Sequence, residues 1–371
     1  MIFQSTIENW LRTPPEGATR ERDESPYFSN YENFKVALKP FLDGTSKASL
    51  QAELLQGYAK AQAEGKEFNL DYVVSLNDHG PRHIDTVRER AAELLKAKNV
   101  NLNVKEIFLL LNAIMVHDIG NFFGRANHQN RILEVTSKLR AAPGFDSIDQ
   151  NYIVNIAQVH GGKVRNCYGE EDLDTIKFLK PESFSNFYSV KERLLASVLR
   201  FADELADDRE RADIAALKAN TILKGSEVFH VYSFCLDSVI VNHSKKKISL
   251  YFKIPKEYLV RKWGKKKEEI YLLDEIYNRV VKMHQERVYC SKFWRPYIEI
   301  DSIEVAIDFY SLATSDDALD ITQLFIHDQI TFELDDTEYP NSGGDIFSMC
   351  PNLKYSEEAF INGENLHKKI S

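Results

Sequence analysis

Cysteine is scarce and scattered. The four in 371 residues, Cys167, Cys235, Cys290 and Cys350, form no C-x-x-C pair. That argues against a zinc ribbon or a disulfide-stapled scaffold and fits a reducing compartment, so a cytoplasmic location is expected. Long apolar runs are missing as well. None approaches the ~20 residues that a membrane span requires, and no membrane partner is expected. The opening MIFQSTIENWLRTPPEG lacks the basic-then-apolar order of a secretory signal. There is no basic excess: 47 Lys and Arg stand against 56 Asp and Glu, a net charge of -9. A broad nucleic-acid-binding surface is therefore not implied, although nucleic acid stays open as a partner through a local patch. The one dense basic run, Arg261-Lys262-Trp263-Gly264-Lys265-Lys266-Lys267, reads more readily as a solvated loop. No internal repeat is visible.

What is present is ordinary globular material, 43% hydrophobic and 28% charged, in a chain long enough for one large core and a second, smaller unit. Composition and periodicity divide it four ways: an N-terminal helical extension over 1–70, a helical core over 71–218, a β-β-α-β module over 219–330 and an acidic tail over 331–371. A helix is expected within 33–64. Another starts at Pro81, with Ile84, Val87, Ala91 and Leu94 at three-to-four spacing. The stretch 104–119 is apolar nearly all round and reads as a buried helix closed by Gly120 and Asn121. Further helices are expected from about His128, over 146–160 ending at His160, and over 189–218. After residue 220 the pattern alternates, with a hairpin around Asn242-His243-Ser244, an amphipathic helix and a further strand. The last 41 residues hold eight acidic side chains against three lysines and read as a weakly ordered tail or an edge cover.

Chemistry concentrates in Leu109–His128, LLLNAIMVHDIGNFFGRANH. A buried helix runs straight into adjacent His117 and Asp118. Other residues of ligating type stand at helix ends or at polar breaks in apolar faces: His83, His128, His160 and Asp203. An unpaired carboxylate such as Asp203 is costly within an apolar face, and ligation would remove the cost. Imidazole with carboxylate suits transition metals better than calcium. Two ions sharing one carboxylate can polarise a phosphate oxygen and activate water near neutral pH. Lys163 and Arg125 are candidates for stabilising phosphate charge, and His79, in the turn before Pro81, for contacting phosphate or acting as a general acid. Each has a plainer reading as a surface cation or turn residue. Asp207, one turn beyond Asp203, is a candidate for orienting a ligand.

The segments HGPRHIDTV, IMVHDIGN and LRFADELAD carry His83, His117-Asp118 and Asp203 in the order H…HD…D. This resembles the signature of the HD metal-dependent phosphohydrolase superfamily over about residues 75–215. The resemblance implies a mainly α fold, an HD-type helical core with a smaller C-terminal α+β module. It implies metal ligation by His83, His117, Asp118 and Asp203, and His128 and His160 look like the extra ligands of two-metal subgroups. Two divalent ions are expected (Mn, Fe, Co, Ni, Mg or Zn), with catalysis resting on Asp118 and on His79, Lys163 and Arg125. The implied activity is hydrolysis of nucleotide phosphate bonds, with deoxynucleoside triphosphates the best single substrate. A phosphodiesterase or nuclease, and a nucleotide sensor with little turnover, are the alternatives. The dNTP triphosphohydrolases usually carry a histidine where this chain has Asn121, and the lysine and GYP tripeptide of cyclic-di-GMP phosphodiesterases are missing. The HDIGNFFGRANH form resembles HD proteins of bacterial conflict or defence loci, which implies a partner protein from the same locus. A homo-oligomer is expected from apolar surface on the N-terminal segment and the helix around Tyr271–Tyr289.

Overall fold

The computed structural model describes residues 6–12, 26–44, 60, 63–65, 80–123, 131–138, 146–161, 164–165, 171–185, 188–222, 224–311, 325–336, 345–356 and 359–370. It is mainly α with a C-terminal α+β part. The chain divides into two compact units. The first comprises Met1–Tyr72, Asp78–Ala206 and Tyr289–Glu299; the second comprises Val73–Asn77, Asp207–Val288 and Ile300–Ser371.

The first unit is a helical assembly. Helix α1 (Thr6–Arg12) buries Ile7 and Leu11, and α2 (Pro26–Gly44) buries Tyr31, Phe34, Leu38 and Leu42 along one face. The expectation of a helix within 33–64 thus began too late, since Pro26 opens the helix at its first position, where a missing N–H costs nothing. Helix α3 (Pro81–Leu95) likewise starts on a proline and buries Ile84, Val87, Ala91, Leu94 and Leu95. Helix α4 (Val104–Val116) is fixed at its start by a reciprocal capping box between Asn103 and Glu106. It is buried from Lys105 onward and touches α1, α2 and α3. Around it stand α5 (Ile132–Lys138), α6 (Ser147–Gln158, capped by Asp146) and α7 (Glu192–Glu204). Helix α7 packs on α3, α4 and α6, and α4 packs on α3 and α6. Short pairs β1 (Val164–Arg165) with β2 (Glu171–Asp172), and β3 (Ser183–Ser185) with β4 (Tyr188–Val190), occupy part of the stretch between α6 and α7.

Two buried ion pairs lock these helices. Glu8 on α1 meets Arg88 on α3 and accepts from Tyr31 Oη at 2.6 Å. Lys105 on α4 pairs with Asp149 on α6, both at most 5% exposed. The helix expected over 189–218 breaks at Glu204; a short 3₁₀ turn (Arg209–Arg211) capped by Asp208 and a one-turn helix (Ile214–Lys218) capped by Asp213 follow instead. The aspartates that enrich this stretch favour caps over helix interior.

The second unit is built on a four-stranded sheet of β5 (Leu236–Asn242), β6 (Lys247–Pro255), β9 (Ser302–Ser311) and β10 (Phe325–Asp335), ordered β10-β9-β6-β5. The hairpin turns after Asn242, as its sequence signals indicate. Strands β6 and β9 are parallel. A parallel pair needs a long crossover, and the helix Leu272–Trp294 lies within it. Ile248, Leu250, Phe252 and Ile254 of β6, Val305 and Ile307 of β9, and Phe332 and Leu334 of β10 are buried, while Tyr251, Lys253, Thr331 and Glu333 face out.

The basic run is a loop only at its ends, Arg261 and Lys266-Lys267. Lys262–Lys265 forms β7, paired with β8 (Glu268–Tyr271). Trp263 is buried, Lys265 pairs with Glu275 at 2.6 Å and Lys224 pairs with Glu269 at 2.9 Å. Gly264 is required here, because a Cβ would fall 1.6 Å from the Lys224 carbonyl oxygen. The described part of 331–371 is ordered as well. The sheet runs to Asp335, and Ile346, Met349, Leu353 and Leu366 are buried. Acidic residues there alternate with apolar ones, so the strand hides one set and shows the other. The long helix buries Leu272, Leu273, Ile276, Val280 and Met283, so the apolar face once available for an oligomer is used within the chain.

Candidate metal centre

The candidate ligands sit at the ends of four helices of the first unit. His83 lies in the first turn of α3 and is 2% exposed. Helix α4 stops at Val116, three residues earlier than the apolar pattern indicated, and His117 and Asp118 occupy the turn that leaves it. His117 Nδ1 lies 2.7 Å from the Ile114 carbonyl oxygen, and Asn121 N donates to the Asp118 carbonyl at 2.9 Å, opening a 3₁₀ turn over Ile119–Phe123. His160 follows α6, with Nδ1 2.5 Å from the Ala157 carbonyl oxygen. Asp203 stands in the last turn of α7.

These ends converge. His83 Nε2 is 3.1 Å from Asp203 Oδ1 and 3.8 Å from Asp118 Oδ2. His117 Nε2 is 3.5 Å from Asp118 Oδ2 and 3.6 Å from Asp203 Oδ1. His160 Nε2 faces the other oxygen of Asp118, at 3.8 Å from Oδ1. The rings of His83 and His117 are 5.4 Å apart, and those of His117 and His160 are 5.0 Å apart. His83, His117 and Asp118 each offer a ligand atom within 4.8 Å of the others, and all three are buried.

The spacing fits a cation. Donors held at the ~2.1 Å bond lengths usual for nitrogen and oxygen ligands lie about 3–3.5 Å from one another, close to the separations here. His117 Nε2 is fully buried and, among the described residues, makes no hydrogen bond; the nearest carboxylate oxygens stand too far off for a good one. With Nδ1 committed to a carbonyl, the Nε2 lone pair of the neutral ring points inward, the arrangement by which a backbone carbonyl orients a metal-binding histidine. Mixed imidazole and carboxylate donors suit a transition metal or magnesium better than calcium. The residues present therefore fit a divalent ion.

Electrostatics agree. Burial alone would keep His117 neutral, but the carboxylates of Asp118 and Asp203 outweigh it and push its pKa up to about 9. Burial would likewise raise Asp203, yet the imidazoles of His117 and His83 beside it hold its carboxyl well below the usual range. The pocket of negative charge that stabilises a proton on His117 would equally stabilise a metal ion.

A supporting layer escaped sequence reasoning. Arg200, one turn before Asp203 on α7, donates to Thr175 Oγ1 at 2.9 Å, and that hydroxyl donates to the Val159 carbonyl at 2.8 Å, beside His160. The Arg200 guanidinium lies 4.5 Å over the Tyr289 ring, and Tyr289 Oη donates to Asp174 at 2.9 Å. Two ligand-bearing helix ends are thereby tied. A charged residue within the apolar face LLASVLRFA was the available signal for Arg200; nothing marked Thr175.

Of the other sequence-derived candidates, His79, Arg125, His128 and Lys163 lie outside the described residues. Asp207 belongs to the second unit, where Ser233 Oγ donates to it at 2.8 Å and Arg279 Nη1 at 2.5 Å. It is engaged there rather than orienting a ligand.

In comparison with known families, the HD-CE family model matches residues 70–280. It takes in the whole convergence of helix ends and continues into the second unit as far as the helix Leu272–Trp294. No curated protein matches the chain.

Proposed function

The chain belongs to the HD-CE family, and on that footing we propose that it is a metal-dependent phosphohydrolase of nucleotides, with deoxynucleoside triphosphates the preferred class. The observation that carries this reading is the meeting of His83, His117, Asp118 and Asp203 at donor spacings suited to a cation. Bound divalent ions would supply polarisation of a phosphate oxygen and activation of water. His83 Nε2, His117 Nε2, Asp118 Oδ2 and Asp203 Oδ1 would hold one ion. Asp118 Oδ1 faces His160, so the same carboxylate would share a second ion with His160, with His128 as a further ligand from the sequence pattern. Asp118 is the residue on which both positions depend. The Ile114 and Ala157 carbonyls fix the rings of His117 and His160, and Arg200 with Thr175 holds the helix ends in register. Arg125 and Lys163 would balance phosphate charge, and His79 would supply a proton to the leaving group.

The net charge of -9 favours a small anion captured by metal over a long nucleic acid held by basic surface. A setting in bacterial defence, with a partner from the same locus, rests on the HDIGNFFGRANH form alone, and a homo-oligomer on the N-terminal segment. The test is a hydrolysis screen of manganese- or cobalt-loaded protein against nucleoside triphosphates, cyclic nucleotides and single-stranded DNA, with products separated by chromatography. Release of phosphate, pyrophosphate or triphosphate, abolished by chelator, is the expected result. Cleavage confined to cyclic nucleotides or DNA would make it a diesterase, and stabilisation by a nucleotide without turnover a sensor.

A further inference from the structure

The turn that delivers His117 and Asp118 holds one more polar group that the fold does not use. Asn121 is 5% exposed, and among the described residues neither its amide nitrogen nor its amide oxygen has a hydrogen-bond partner. Its backbone closes the turn by donating to the Asp118 carbonyl, a role that any residue but proline could fill. Burying an amide with both ends unmade is more costly than a typical hydrogen bond is worth. Asn112, on the helix before it, is half satisfied: its amide nitrogen donates to the Phe108 carbonyl at 2.7 Å, while its amide oxygen has no partner among the described residues. An apolar side chain at 121 would spare the fold the cost that Asn121 imposes.

The direction of the side chain follows from the turn. Ile119–Phe123 is a 3₁₀ turn, in which residues three apart eclipse one another. Asn121 therefore projects from the same side as Asp118, whose oxygens face His83, His117 and His160. An amide offers two N–H donors and one acceptor without adding charge, so it can bind an oxyanion without competing for a cation.

We propose that Asn121 is a substrate-binding residue of this centre. Its amide nitrogen donates to a phosphoryl oxygen and its amide oxygen accepts from a water or hydroxyl of the bound substrate, so that its hydrogen bonds are made only when the site is filled. The inference rests on the phosphohydrolase reading and assigns one residue within it.

The test compares wild type, Asn121→Leu and Asn121→Ala, with His117→Ala as the control for the centre itself. The probe is inorganic tripolyphosphate, added to manganese-loaded protein and read by thermal shift, beside steady-state hydrolysis of whichever nucleotide the screen identifies. Asn121→Leu is expected to melt at or above the wild-type temperature when metal-free and to retain wild-type manganese content. It is expected to lose the tripolyphosphate shift and to raise KM at least tenfold with a smaller change in kcat. If the leucine does not fold, the alanine variant gives the same readout. A lower metal-free melting temperature together with an intact tripolyphosphate shift would make the amide structural and overturn the inference. Wild-type hydrolysis matched by both Asn121 variants would overturn it while leaving the phosphohydrolase reading in place. Absence of any shift or turnover in wild type would remove that reading and this inference together, with His117→Ala then indistinguishable from wild type.

Discussion

Each unit buries a cluster of charged and ionisable groups, and the two clusters are satisfied in different ways. In the second unit, Asp207 takes Arg279 and the Ser233 hydroxyl, Arg279 also donates to Glu275 at 2.9 Å, and Glu275 takes Lys265 at 2.6 Å. Opposite charges meet directly at hydrogen-bond distance, and Arg279 packs over Tyr232 at 4.1 Å. In the first unit, carboxylates meet imidazoles, mostly at 3.5–3.8 Å, and among the described residues Asp203 pairs with histidines only. The second cluster is complete as the chain folds; the first is spaced for something to enter. Counting buried charges would rank them alike, and only the distances separate a structural network from a site.

The sharpest break in that comparison is Asp118→Ala. Loss of an outer hydrogen bond to a metal ligand typically costs 10–100-fold, and removing a carboxylate that faces three histidines should cost more. Turnover is expected to fall by more than about 100-fold, with manganese content reduced in metal analysis of the purified protein. A large drop in metal-free stability with full metal content would erase the distinction between the clusters.

The counterpart in the second unit is Arg279→Met. It keeps the length of the side chain and its packing but takes the guanidinium from Asp207 and Glu275, which are 11% and 2% exposed, leaving Asp207 with Ser233 and Arg211 and Glu275 with Lys265. Breaking one partner out of a buried pair costs roughly 3–5 kcal/mol; with Arg279 itself 23% exposed, the lower end, about 3 kcal/mol, is expected in urea unfolding. Manganese content should be unchanged. A variant as stable as wild type would show that the network is not what holds these charges.

How much of this was legible in the sequence follows the same division. His83, His117, Asp118 and Asp203 could be read because ligation demands particular residue types at helix ends, and such types are conspicuous on apolar faces. The exact end of the helix at Val116 could not be read, since His117 turns the chain through its contact with the Ile114 carbonyl, which no apolar count registers. Thr175 was invisible because its work is a hydrogen bond to a carbonyl 16 residues away. In the second unit the alternation gave the strands, but the parallel pairing of β6 with β9 across more than 40 residues leaves no local trace. The β7–β8 hairpin was hidden by its lysines: charge reads as solvated loop, whereas Lys262–Lys265 pairs as a strand and Lys265 reaches Glu275 on the following helix.

Two buried histidines offer the finest test of the contrast, because each reports the charge around it. Carboxylates push His117 up to about 9. His284, 1% exposed in the second unit, is pushed down to about 4, first by burial and then by the Arg287 guanidinium. Arg287 Nη2 lies 3.4 Å from His284 Nδ1 and its guanidinium donates to the Ile300 carbonyl at 2.9 Å, so the ring is held neutral as an acceptor. The sign of the linkage follows. Above pH ~6.5 the ring is neutral folded or unfolded and contributes nothing. As pH falls below that value the unfolded chain takes a proton that the folded chain refuses until about 4, and stability is lost at about 1.4 kcal/mol per pH unit across the window. His284→Gln removes the proton site. Between pH 7 and 5, wild type should lose about 2 kcal/mol more than this variant in paired urea titrations, while other acid-sensitive groups cancel in the difference. Parallel losses would mean that His284 is protonated in the folded chain and that Arg287 faces elsewhere.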